Sequence, residues 1–168
     1  MSQTPANKNA RALAEGDFAP DFVLATDGGG EVDLSKLRGK NVVVYFYPKD
    51  DTPGCTVEAK DFRDRKEDFD LYNTVIIGVS KDSVESHNAF KDKYYLPFVL
   101  AADEDGTVVE AYDVCVEKNM YGKKYMGIQR DTFLINEEGK IAKIWHKVKV
   151  DGHAEEVLEA VKDLERKG

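Results

Sequence analysis

A single cysteine lies where an apolar run gives way to a helical pattern, in Tyr47-Pro48-Lys49-Asp50-Asp51-Thr52-Pro53-Gly54-Cys55-Thr56-Val57-Glu58. Thr52 suits a helix N-cap. Pro53 suits the first helical position, where its missing N–H costs nothing, and Cys55 then falls at the third. A thiol there faces the positive end of the helix, whose N–H groups and macrodipole favour the nucleophilic thiolate. Asp50 and Asp51 disfavour a further anion, so the site requires a compensating cation from Lys49 or a distant arginine. In isolation Cys55 would be a small buried residue on an apolar helix face. Pro53 and Gly54 tilt the balance toward reactivity, because a glycine lets the backbone approach a ligand closely. Position 58 is Glu58, so the Cys-x-x-Cys pair of a dithiol redox site is absent.

The elements that must position this segment follow from apolar periodicity. Residues 42–47, β-branched and aromatic without polar alternation, predict a central strand covered on both faces. Residues 54–69 predict a helix through Cys55, Ala59, Phe62 and Phe69. A second buried strand over 75–79, a helix over 83–94 and a strand over 98–101 continue a β-α-β-α run. Residues 132–135 and 141–145 predict a hairpin, as do 22–25 and 31–34 around Asp27-Gly28-Gly29-Gly30 near the start. The last helix, about 153–166, carries the stripe Ala154, Val157, Leu158, Val161 and Leu164. Together these predict an α/β, thioredoxin-like fold: a central mixed sheet with helices on both faces and an N-terminal β-hairpin. Residues 1–15 are expected to form a flexible arm and 16–168 a single domain.

Composition bounds the function. The 168 residues carry a formal charge of −8, which argues against a nucleic-acid partner, and 42% hydrophobic residues suffice for a core without disulfides. No apolar run approaches the roughly 18 residues of a membrane helix. The polar start lacks the apolar stretch of a secretory signal, so a cytoplasmic location and no membrane association are expected. Two cysteines, Cys55 and Cys115, are too few for a disulfide scaffold. His87, His146 and His153 lack partners at zinc-ligand spacing, and no metal is expected.

Beyond these local signals, Pro48-x-x-x-Thr52-x-x-Cys55 after an aromatic strand resembles the active-site signature of peroxiredoxins. Gly16-Asp17-x-Ala19-Pro20-Asp21-Phe22, Phe62-Arg63-Asp64, Gly78-Val79-Ser80, Tyr121-Gly122-Lys123 and Gly127-Ile128-Gln129-Arg130 extend the likeness. They are similar to the bacterioferritin comigratory, or Q-type, branch, from about Gly16 to the end of the chain.

The resemblance implies a thiol peroxidase without metal, haem or other cofactor. Cys55 would be the peroxidatic cysteine, attacking hydrogen peroxide or an organic hydroperoxide and becoming a sulfenic acid. Thr52 would hydrogen-bond the peroxide, Pro48 would shield the thiolate, and Arg130 would hold the thiolate and polarise the O–O bond. Arg130 would also answer the charge of Asp50 and Asp51. Thioredoxin, glutaredoxin or a low-molecular-weight thiol would serve as reductant, and the protein would be a monomer or weak dimer. Many members carry a resolving cysteine five residues after the first, where this chain has Lys60. Cys115 is therefore the possible resolving residue, set against a one-cysteine cycle, which its apolar neighbours Val114 and Val116 favour. A thioredoxin-like binding or chaperone module without turnover is the alternative from another class, and a general disulfide reductase is disfavoured by the missing second cysteine.

Overall fold

The strand expected at the centre sends its side chains alternately to two apolar clusters. β3 (Asn41–Phe46) gives Val42, Val44 and Phe46 to one, and Val43, Tyr45 and the following Tyr47 to the other. Each such side chain, fully buried, contributes roughly 1.5–3 kcal/mol. The computed structural model describes residues 13–167.

Around β3 stand β1 (Val23–Thr26), β2 (Glu31–Asp33), β4 (Thr74–Ser80), β5 (Val99–Ala102), β8 (Asp131–Ile135) and β9 (Ile141–Trp145). They form one seven-stranded sheet in the order β2-β1-β5-β4-β3-β8-β9. β3, β4 and β5 run parallel, and the remaining neighbours pair antiparallel. The sheet is thus mixed, as expected. The predicted hairpins are β1–β2 and β8–β9, the first turning through Gly28 and Gly29 at φ of 75° and 77°, where a side chain would be strained.

Four helices cover one face: α1 (Pro53–Asp64), α2 (Lys66–Leu71), α3 (Val84–Tyr94) and α5 (His153–Lys167). Ala154, Val157, Leu158 and Val161 of α5 are buried while Glu155 and Glu156 stay exposed. The other face is closed by the short α4 (Thr107–Ala111), by Ala19, Phe22 and Leu34, and by Tyr112, Val114 and Ile128.

Three features depart from the pattern read in the sequence. The helix expected over 54–69 is two helices, broken at Arg65 (φ −111°, ψ 8°), whose N–H bonds to the Phe62 carbonyl. The break lets Phe69 reach the Phe62 ring at 5.9 Å in the same cluster. No element was expected at α4, which is too short to show helical periodicity. Nor was one expected for the hairpin of β6 (Cys115–Met120) and β7 (Lys123–Ile128). That hairpin stands apart from the main sheet, largely exposed, so it shows no apolar alternation. Of the expected N-terminal arm, residues 1–12 lie outside the described residues. Leu13 packs partly buried on the core, and Gly16 donates its N–H to the Ile141 carbonyl.

Candidate active site

Cys55 stands at the carboxyl end of the parallel strands, where open α/β sheets place their ligands. α1 begins at Pro53 with Thr52 as N-cap in extended conformation. Its first intrahelical hydrogen bond runs from the Thr56 N–H to the Thr52 carbonyl. The N–H groups of Gly54 and Cys55 precede that bond and have no acceptor within the helix, so they supply positive potential beside the thiol. The Thr52 side chain makes no cap. Its hydroxyl donates instead to the Lys49 carbonyl at 2.9 Å, leaving its lone pairs for another donor.

Cys55 is 1% exposed and packs in the apolar cluster with Ala59 and Phe62. Burial alone would fit an inert packing residue, and Arg130 distinguishes it. The Arg130 Nη2 lies 3.5 Å from the Cys55 Sγ, and its Nη1 lies 2.7 Å from the Glu58 Oε1. The guanidinium spreads over Gly54, whose missing Cβ would sit 3.1 Å from Nη2. Here the close backbone approach that a glycine permits is used by a side chain of the protein itself. Pro48 is exposed.

The charges differ from the sequence expectation. Asp50 and Asp51 turn away from the thiol toward α3. Asp51 is tied to Lys93 at 2.8 Å and to the Tyr94 hydroxyl at 2.9 Å, and these bonds, Lys93 first, hold its carboxyl below the usual range. Asp50 is buried against Tyr47, Ser86 and His87. The carboxylate that Arg130 meets is Glu58. Burial pushes the Glu58 carboxyl up to about 7 against the pull of Arg130. Burial works against the Arg130 charge too, yet Glu58 and Cys55 outweigh it and raise its pKa above the ordinary arginine value.

Glu58 had appeared in the sequence only as the absence of a second cysteine. A signal was present: it stands three residues after Cys55, on the face shared by Ala59 and Phe62, a carboxylate within an apolar stripe. Its Oε2 and the Tyr45 hydroxyl are both buried without a hydrogen-bond partner among the described residues. Burial, and then Glu58 and Cys55, push the Tyr45 phenol well up, so it stays protonated.

Asp131, fully buried, takes hydrogen bonds from Gln129, His146 and the Lys147 N–H, fixing the chain on the far side of Arg130. Cys115 is a free, partly buried thiol packed on the opposite face of the sheet from Cys55. Among the described residues no group of three His, Cys, Asp or Glu side chains is placed to hold a metal, and no helix is long and apolar enough to cross a membrane.

The chain as a whole is similar to known proteins. The AhpC/TSA family profile matches residues 16–144. The chain is 57% identical over 147 residues to a putative peroxiredoxin bcp of Coxiella burnetii, covering 88% of this chain and 97% of that one. It is 53% identical over 152 residues to the peroxiredoxin Bcp of Bacillus subtilis, covering 90% and 97%. Among solved structures, the Xanthomonas campestris bacterioferritin comigratory protein, described for its alkyl peroxide reduction activity, superposes with a TM-score of 0.83 at 46% identity over 86% of this chain and 92% of that one.

Proposed function

The chain belongs to the AhpC/TSA family and is a peroxiredoxin, a thiol-dependent peroxidase, and from that premise we propose that Cys55 is its peroxidatic cysteine, with Arg130, Thr52 and Pro48 as its partners. The observation that carries this assignment is the Arg130 guanidinium, divided between the Cys55 Sγ at 3.5 Å and Glu58 at 2.7 Å. The Cys55 thiolate attacks the terminal oxygen of a hydroperoxide. An S–O bond forms as the O–O bond breaks, sulfur is oxidised to the sulfenic state, and the departing oxygen leaves as water or an alcohol with the hydroperoxide's own proton. Arg130 and the N–H groups at the start of α1 stabilise the charge that moves onto the departing oxygen. The Thr52 hydroxyl, anchored on the Lys49 carbonyl, accepts the hydroperoxide O–H, and Pro48 shields the thiolate from water.

We infer a one-cysteine cycle in which an external thiol condenses with the sulfenic acid, releasing water, and a second thiol frees Cys55 from the mixed disulfide. Cys55 and Cys115 belong to clusters on opposite faces of the sheet, and a direct bond would have to cross the β3 layer. Thioredoxin, glutaredoxin or a small thiol suits as reductant, and free thiols at both cysteines fit the cytoplasm. One domain, 16–168, carries every residue of the site, so a monomer or weak dimer suffices.

Two measurements test these assignments. Stopped-flow mixing of reduced protein with hydrogen peroxide or cumene hydroperoxide should show rapid consumption that Cys55→Ser abolishes, and near-parental turnover in that variant refutes the assignment. Mass spectrometry after one equivalent of peroxide, with a sulfenic-acid trap present, should find the adduct on Cys55 and Cys115 still alkylatable. Rapid disulfide formation that requires Cys115 would make Cys115 the resolving residue instead.

A further inference from the structure

Behind the loop that delivers Thr52 and Cys55 lies a buried polar cluster that the peroxidase chemistry does not use. His87 in α3 is fully buried, and both of its ring nitrogens face oxygen atoms. Nε2 lies 3.0 Å from the Ala101 carbonyl of β5, and Nδ1 lies 2.7 Å from the Asp50 Oδ2. A carbonyl can only accept, so Nε2 carries a hydrogen. If Nδ1 were then bare and Asp50 ionised, two lone pairs would face each other at 2.7 Å in a dry interior, where an unmet polar contact is most costly. The contact is satisfied only when a further proton lies between Nδ1 and Oδ2.

The other neighbours of Asp50 cannot take that proton's place. The Tyr47 hydroxyl donates to Oδ1 at 2.6 Å, and the Ser86 hydroxyl donates to Oδ2 at 2.7 Å. The second charged group near the pair, Asp82, is engaged by the Asp50 N–H at 2.8 Å and by the Ser80 hydroxyl at 2.7 Å. Burial pushes the Tyr47 phenol well up, so it remains a donor.

We propose that His87 is a positioning residue of the peroxidase site, holding the 48–52 loop against α3 and β5 through one proton that it shares with buried Asp50. Asp50 is two residues from both Pro48 and Thr52, so its anchorage fixes the backbone that carries the Thr52 hydroxyl and its acceptor, the Lys49 carbonyl. The salt bridge from Asp51 to Lys93 and the hydrogen bond to Tyr94 pin the same loop to the same helix from its solvent side. The geometry makes two side chains interchangeable at position 50. An asparagine amide can donate one hydrogen to a bare Nδ1 and the other to the Ser86 oxygen, once that hydroxyl turns from donor to acceptor, and accept from Tyr47 while Nε2–H still meets Ala101, so the latch closes without the shared proton.

This proposal rests on the assignment of Cys55 and Thr52 above, and its tests separate the two. In the wild-type protein at neutral pH, NMR of the His87 ring should show two protected protons, one on Nε2 and one on the Nδ1–Oδ2 line. Asp50→Asn should keep Nε2–H, lose the shared-proton signal, and stay within about threefold of the parental rate constant for peroxide. His87→Leu strands the Asp50 carboxylate, releases the loop and should slow the reaction about ten- to hundredfold, since misplacement of a reacting group by about 1 Å costs up to about a hundredfold. A single ring proton in the wild type, an Asp50→Asn variant as slow as His87→Leu, or a folded His87→Leu protein with the parental rate constant would each overturn the latch. The NMR result does not depend on Cys55, so retained turnover in Cys55→Ser would undo the site assignment and leave the shared proton standing, whereas a single ring proton would undo the latch and leave the site assignment standing.

Discussion

Replacing Glu58 by glutamine should make the protein more stable and less active, in a way that depends on pH. The Glu58 carboxyl is held at about 7 against an ordinary 4.5, because burial outweighs the attraction of Arg130. At about 1.4 kcal/mol per pH unit, keeping this anion buried at alkaline pH costs about 3 kcal/mol relative to a chain in which it is solvated. The folded protein retains a proton that the unfolded chain releases between pH 4.5 and 7, so stability contributed by the neutral form is lost as the pH rises through that window. Glutamine keeps the shape and an oxygen for the Arg130 Nη1 but has no charge to bury. Urea unfolding should therefore find Glu58→Gln more stable than the parent by about 1–3 kcal/mol at pH 8, with the gain shrinking toward zero at pH 4.5. The same exchange weakens the charge-assisted bond that aims Nη2 at the Cys55 sulfur, and the rate constant for peroxide should fall about tenfold. A variant less stable than the parent at pH 8, or equally stabilised at pH 4.5 and pH 8, would refute the claim that Glu58 is a destabilising anion kept to hold Arg130.

Two further predictions probe the surroundings of the thiol. A Cβ at Gly78 would lie 2.9 Å from the Tyr45 ring and hydroxyl and 3.1 Å from Leu100, all fully buried, so Gly78→Ala should lose about 1–3 kcal/mol in urea unfolding; an unchanged midpoint would mean that the Tyr45 ring can shift. Burial, with a contribution from Arg130, pushes His153 down to about 4, and its Nε2 stands 2.9 Å from the Thr132 hydroxyl. The unfolded chain takes up a proton below about pH 6.5 that the folded protein refuses, so this residue costs stability as the pH falls from 6.5 toward 4. The difference in unfolding free energy between His153→Gln and the parent should consequently move by about 3 kcal/mol in favour of the variant across that window, opposite in sign to the pH dependence at Glu58. A pH-independent difference would show that His153 is not held neutral.

Glu58 and the pair Asp50–His87 illustrate two uses of a buried carboxyl beside one thiol. Glu58 confronts Arg130 directly and leaves one oxygen unmet among the described residues, an arrangement that costs stability and aims a cation. Asp50 has both oxygens met by donors, which locks a loop in place. The site thereby combines a fixed loop with a charged group under tension.

Much of this could be read from the sequence, because it rests on neighbours along the chain. Pro53 suits a first helical position, so Cys55 at the positive end of a helix was legible from that and the family motif, although the Thr52 hydroxyl turns to Lys49 and does not cap the helix. The two-sided burial of β3 and the stripe on α5 were legible from periodicity, and the mixed, thioredoxin-like sheet followed from them. What no local rule could supply was strand order. β8 lies antiparallel beside β3, pairing Phe46 with Asp131, and this puts Arg130 at the carboxyl end of β3, within reach of a cysteine 75 positions away. The likeness of Gly127-Ile128-Gln129-Arg130 marked that arginine, but its partner Glu58 emerged only with the packing of α1 against that strand end. A distant arginine does meet the thiol, but the carboxylates it was expected to offset lie elsewhere, for the same reason. Asp50 and Asp51 are adjacent to the site in sequence, but Asp51 adopts a left-handed φ of 58° and both side chains turn to α3. Helix starts and burial patterns are properties of short segments, whereas the partner of a charge is decided by which distant strand or helix the backbone hydrogen bonds and the core bring alongside.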